Sequence, residues 1–149
     1  MRDWSRQVVV TGAGVCCNMG DDLDAMAARL RAGDNLPFER WQPAVDHNAR
    51  CQVIGEYHGD VSNEALEIGK KESRFLGRAA RLALKAARIA LAQSGADPQA
   101  FGVVVGSGTG DVPTHQEIQA RLDKSGDTKR ISPTVIPKIM ASTVSANLV

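Results

Sequence analysis

The chain has 149 residues and a mass of 15.9 kDa, the size of one domain or of one piece of a larger one. A hydrophobic fraction of 43% excludes disorder throughout, although two Trp, one Tyr and three Phe leave any core poor in aromatic rings. Eighteen Lys and Arg against seventeen Asp and Glu give a net charge of +1, so bulk charge does not argue for nucleic acid or membrane; an electrostatic partner must be met by a local cluster.

Met1 to Arg6 is charged and leads into a short valine run with no signal-peptide core. Gln7-Val8-Val9-Val10-Thr11 is rich in β-branched residues and does not alternate, which predicts a strand buried on both faces. Gly12-Ala13-Gly14 breaks it. Asp21 or Asp22 can cap a helix running to about Arg31, with Gly33 as its left-handed stop. Residues 34–71 carry Pro37, Pro43, Trp41 and Tyr57 without a sustained period, and read as a loop-rich excursion holding one short strand near Gln52-Val53-Ile54.

Glu72 to Ser94 predicts one long helix, closed by Gly95 and Asp97-Pro98. Arg74, Arg78, Arg81, Lys85 and Arg88 fall on a single stripe, and Leu76, Ala80, Ala83, Ala87 and Ala90 form the opposite face, where small side chains let another element come close. Phe101-Gly102-Val103-Val104-Val105 predicts a second buried strand, followed by the glycine loop Gly106 to Gly110. Pro113 suits the first turn of a helix running to about Lys124, with Gly126 after it. Beyond a polar loop, Asp127 to Ser132, the segment Val135 to Val149 reads as helical. It ends without a cap or a polar tail, so a chain cut within an element is expected. The uncharged run Ile139–Val149 is too short to cross a bilayer. Strand, helix, excursion, helix, strand and helix together predict an α/β fold with a largely parallel sheet.

Several motifs fall short of the chemistry they suggest. Gly12-x-Gly14 after a strand suggests a dinucleotide loop, but Cys17 stands where the third glycine belongs. Gly106 to Gly110 is not followed by Gly-Lys-Ser/Thr, and Val105 occupies the position where a nucleophile elbow needs glycine. No cofactor is expected. Cys16, Cys17 and Cys51 make no even disulfide framework, which reads as a reducing cytoplasm, and Cys16 and Cys17 read as buried structural thiols. His47, Cys51 and His58 fit no zinc spacing, so no metal is expected. Two basic groups stand out: Lys70, Lys71 and Arg74, and, after the next helix, Lys124, Lys129 and Arg130. A solvated face is the usual reading of either group, but cations at the start of a helix gain nothing from its dipole, which tilts the first group slightly toward an anionic partner.

Three stretches together resemble the beta-ketoacyl-[acyl-carrier-protein] synthases. Val8 to Val15 with Asn18-Met19-Gly20 resembles their opening strand and turn, and Gly102 to Gly110 their second core strand and glycine loop. Ser132-Pro133 with Lys138 to Ala146 is similar to the segment before their nucleophile, and Met140-Ala141-Ser142-x-Val144-Ser145-Ala146 is closest to the type I elongating enzyme. The resemblance implies a thiolase-like layered fold, of which residues 1–149 are the N-terminal part, with a largely parallel mixed sheet packed against helices. It implies a homodimer performing decarboxylative Claisen condensation of an acyl thioester with malonyl-[acyl-carrier protein], in fatty-acid or polyketide elongation. The family's nucleophilic cysteine would fall just beyond Val149 and its two histidines later, so no catalytic residue is expected in this chain. Thr109 aligns with a glycine-loop position beside the acyl pocket, where type I has glycine and related enzymes a bulky aliphatic. Met140 aligns with a residue that reaches across the dimer interface to close the partner's acyl pocket. Lys70, Lys71 and Arg74, joined by Lys129, align with the basic docking surface for the acidic carrier protein. The alternative within the resemblance is a non-catalytic partner subunit, like a chain-length factor.

Overall fold

In the computed structural model, which describes residues 7–100, 102–146 and 148, the excursion is bound to one long helix by that helix's own cations. Helix α1 (Leu23–Ala32) starts at Asp22, whose carboxylate accepts from the amides of Asp24 and Ala25 at 2.9 and 3.0 Å, and it stops at Gly33. A two-stranded antiparallel ladder pairs β1 (Glu39–Arg40) with β2 (Val53–Ile54), and α2 (Gln42–Asp46) lies between them in sequence. Helix α3 (Arg78–Ser94) and helix α4 (Val112–Ser125) end on the left-handed glycines Gly95 and Gly126. Two short helices follow, α5 (Val135–Ile139) and α6 (Ser142–Ala146).

The cationic stripe of α3 supplies donors to a segment with almost no regular structure of its own. The Arg78 guanidinium donates to the Tyr57 carbonyl at 2.7 Å. Arg81 donates to the Val61 carbonyl at 2.9 Å and to Asn63 Oδ1 at 2.7 Å. Lys85 donates to the Asp60 carbonyl at 3.1 Å, and Arg88 to the Leu66 carbonyl. Residues 57–66 thus satisfy backbone acceptors that a ladder would otherwise take up. Beneath this strap lies the core, Leu66, Ile68, Leu76, Ala80 and Val144, with Val61, Ala83, Leu84 and Val105 packed against it. The alanine face of α3 is approached as its composition predicts. The segment around Gly12 and Gly14 crosses so close that a Cβ at Gly12 would overlap the carbonyl of Ala90 on that face, and one at Gly14 the carbonyl of Ala86 beside it.

Three expectations meet a different local structure. First, residues 7–11 and 102–105 form no strand, and among the described residues the sheet is the antiparallel β1–β2 pair. Val8, Val9, Val10 and Val104 stand 99, 69, 89 and 97% exposed; a strand buried on both faces needs neighbours that the described residues do not supply. Second, the helix expected from Glu72 is divided into a 3₁₀ turn at Glu72–Arg74 and α3 proper. Between them Gly77 is extended at φ −78°, ψ 176°. Third, the final helix is broken at Met140, which is extended at ψ 133°. Phe101, Asn147 and Val149, parts of the predicted strand and final helix, lie outside the described residues, as does Met1 to Arg6.

Candidate functional site

The glycine loop feeds the point where α3, α4 and α5 meet. Gly110 lies at φ +66°, and a Cβ there would overlap the Ile139 carbonyl at the end of α5, with the Ala141 amide close behind. Thr109 and Met140 are therefore each one residue from the same backbone contact. Their surroundings differ. Thr109 is exposed and lines a shallow groove along α4 with Val112, His115, Gln116 and Gln119, whereas Met140 is 49% exposed at the end of α5.

The next residue, Asp111, is 4% exposed. Its Oδ1 accepts from the Arg78 amide at 3.0 Å, which caps the start of α3 from a distant part of the chain. Its Oδ2 accepts from the Thr114 hydroxyl in the first turn of α4. A Cβ at Gly77 would overlap this carboxylate. An acceptor placed among unpaired amides at a helix start satisfies donors and opposes the helix dipole at once. The sequence reading missed Asp111. Its local signal, an aspartate before Pro113 at a helix start, was present, but the reach to Arg78 was not.

The basic residues separate into two classes. Arg78, Arg81, Lys85 and Arg88 are engaged with the excursion, as described above. Lys70, Lys71 and Arg74 are exposed on and beside the 3₁₀ turn, and their side chains make no hydrogen bond or ion pair among the described residues. Lys129 sits on a second 3₁₀ turn, Thr128–Arg130, where its amide is capped by Asp127 at 2.9 Å. Arg121, Lys124, Ser125 and Arg130 line a separate depression nearby. No bond joins Lys129 to the first group among the described residues.

A polar network that the sequence reading also missed joins the turn before α1 to α3. Tyr57 donates to Asp21 Oδ2 at 2.7 Å, and Lys85 pairs with the same oxygen at 2.7 Å while lying over the Tyr57 ring. The Lys85 hydrogen bond, then that of Tyr57, holds the Asp21 carboxyl below the usual carboxylate range, and Asp21 in turn raises the Lys85 ammonium. Beside them burial pushes the Cys16 thiol up, with Tyr57 partly opposing it. A raised thiol is a poor nucleophile. Cys17 contacts Met26 at 3.8 Å, and Cys51 is exposed. His58 pairs with Glu39. Among the described residues no three His, Cys, Asp or Glu converge as metal ligands, and no helix is long and apolar enough to cross a membrane.

The family model described as "Beta-ketoacyl synthase, N-terminal domain" matches residues 5–149. The chain is 32% identical over 150 residues to 3-oxoacyl-[acyl-carrier-protein] synthase 1 of Haemophilus influenzae, covering 96% of this chain and 36% of that protein. It is 30% identical over 151 residues to the synthase of the same name from Escherichia coli K12, with the same coverage. A crystal structure of a beta-ketoacyl synthase from Burkholderia phymatum STM815 superposes with a TM-score of 0.75 at 25% identity, covering 94% of this chain and 35% of that one. The chain thus spans about a third of the length of the relatives it matches.

Proposed function

The chain belongs to the beta-ketoacyl synthase family, as its N-terminal domain, and from that premise we propose that the whole protein is an acyltransferase of chain elongation. It condenses an acyl thioester with malonyl-[acyl-carrier protein], losing carbon dioxide, and it works as a homodimer in the cytoplasm. The family match over residues 5–149 carries this reading. The catalytic cysteine thiolate and histidines belong to the part of the protein outside residues 1–149. That assignment agrees with the raised Cys16 thiol, the exposed Cys51, and histidines that meet neither cysteine.

This domain contributes recognition. Lys70, Lys71 and Arg74 are the carrier-docking cations, supported by being exposed and unpaired while their neighbours on α3 are engaged; Lys129 extends the surface. Thr109 and Met140 border the acyl pocket, which their shared contact at Gly110 and Ile139 supports. A half-exposed methionine is free to close a pocket in a second subunit and to adapt to chains of different length. Segments 7–11 and 102–105 are core strands whose sheet neighbours lie in the remainder of the protein, giving the largely parallel mixed sheet.

The test is a condensation assay on the whole protein with acyl- and malonyl-[acyl-carrier protein], following 3-oxoacyl product and carbon dioxide together. Equal release of the two is expected. Neither product would instead favour a non-catalytic partner subunit like a chain-length factor, and carbon dioxide without 3-oxoacyl product would show decarboxylation without condensation.

A further inference from the structure

Asp111 occupies the point where the end of the glycine loop meets the starts of α3 and α4. One carboxylate oxygen fixes the first amide of α3, four residues after Arg74, and the other fixes the Thr114 hydroxyl of α4. Its backbone follows Gly110, which bears on the Ile139 carbonyl and so on the turn at Met140. Space for the carboxylate exists only because Gly77 has no side chain. Gly77 itself is extended at φ −78°, a conformation open to any residue. A glycine there is thus explained by the neighbour it admits and not by its own backbone.

We propose that Asp111 is a positioning residue for acyl-chain selection, holding the end of the glycine loop against α3 and α4 so that Thr109 and Met140 keep a fixed separation. The proposal rests on the reading of Thr109 and Met140 as acyl-pocket residues. Asp111 does not touch the acyl chain. It acts through the Gly110 backbone, and its charge is matched to two donors at helix starts, where a buried acceptor does the most to fix geometry. Asparagine can keep both links, with its carbonyl accepting from the Arg78 amide and its amide donating to Thr114. Alanine keeps neither.

The test compares Asp111→Ala, Asp111→Asn and Thr114→Val in the whole protein. Each is assayed for kcat and KM over a series of acyl-carrier substrates of increasing length, and for hydrogen exchange at the amides of Arg78 and residues 110–112. Asp111→Ala is expected to speed that exchange about tenfold, the scale of a lost cap, and to change the long-to-short ratio of kcat/KM about fivefold. Asp111→Asn should restore both to within about twofold of the parent. Thr114→Val, which retains shape, should move both in the direction of Asp111→Ala by a smaller factor, and it carries the test should Asp111→Ala not fold. Faster exchange with an unchanged length profile would overturn the proposal, as would a profile that changes equally with asparagine. Thr109→Ile and Met140→Ala serve as the reference: if they shift the profile and the Asp111 and Thr114 variants do not, only the positioning role fails. If none of them shifts it, the acyl-pocket reading fails and the proposal with it.

Discussion

Thr109 and Met140 flank one backbone contact, so a change of volume at either is felt in the same small region. Thr109→Ile adds bulk at an exposed loop position and is expected to narrow the range of acyl chains accepted by the whole protein. Met140→Ala removes a side chain that is 49% exposed, so its stability cost should stay near 1 kcal/mol, below the 2–5 kcal/mol of a packed core site. It should shift preference toward longer chains, since each further buried methylene contributes about 0.8 kcal/mol. Competition between acyl-carrier substrates of different lengths measures both; identical profiles would make them ordinary turn residues. At Lys85 the effect depends on pH. The Asp21 carboxyl lies below its ordinary value of 3.8, so the link to Lys85 stabilises above that range and fades as pH falls through the lowered value. On the alkaline side the raised Lys85 value keeps the link intact past the ordinary lysine range, until pH rises through that raised value. With Asp21 39% exposed, solvent limits the worth of the pair, and Lys85→Met is expected to lose about 1 kcal/mol at neutral pH. Denaturant midpoints should show that deficit shrinking well below pH 3.8; an equal deficit in acid would mean that packing and not charge is lost.

At the scale of elements, α3 is a rod that fixes a strap. Arg81 bonds Val61, Asn63 and the Leu76 carbonyl, and bonds from a charged donor contribute about 1.5–3 kcal/mol each. Arg81→Ala should therefore destabilise by about 2–3 kcal/mol and expose residues 57–66 to protease. Lys71→Ala, on an exposed side chain without a partner, should change neither. Equal cleavage of the two variants would show that the strap is held by its apolar residues alone. The same elements show what a sequence makes readable. The bounds of α1 and α4 were legible because their signals are local, namely Asp22 and Gly33 for one, Pro113 and Gly126 for the other. The break before α3 was not, because the acceptor at the α3 start is Asp111, thirty-three residues beyond Arg78 in the chain. The basic stripe of α3 was visible as a pattern, but its use was hidden. Only the folded excursion shows that its cations serve carbonyls, leaving Lys70, Lys71 and Arg74 unengaged.

Taken as a whole molecule, the described residues hold a small core beside large apolar surface. Val8, Val9, Val10 and Val104 are largely exposed, a pattern that favours association. The 149-residue chain by itself is expected to self-associate on sedimentation and to show no acyl transfer. A monodisperse monomer would contradict the assignment of segments 7–11 and 102–105 to a larger sheet, and acyl transfer would contradict the placing of the chemistry elsewhere. The central claim is that this domain recognises a carrier-borne substrate through three unengaged cations. It is tested most directly by charge reversal of Lys70, Lys71 and Arg74 to glutamate in the whole protein, with kcat/KM measured for a carrier-bound acyl substrate and for a small acyl thioester without the carrier. Rim charges act mainly on association, so the carrier-bound substrate alone should lose kcat/KM, and the loss should be larger at low salt. An equal loss for both substrates, independent of salt, would contradict the account.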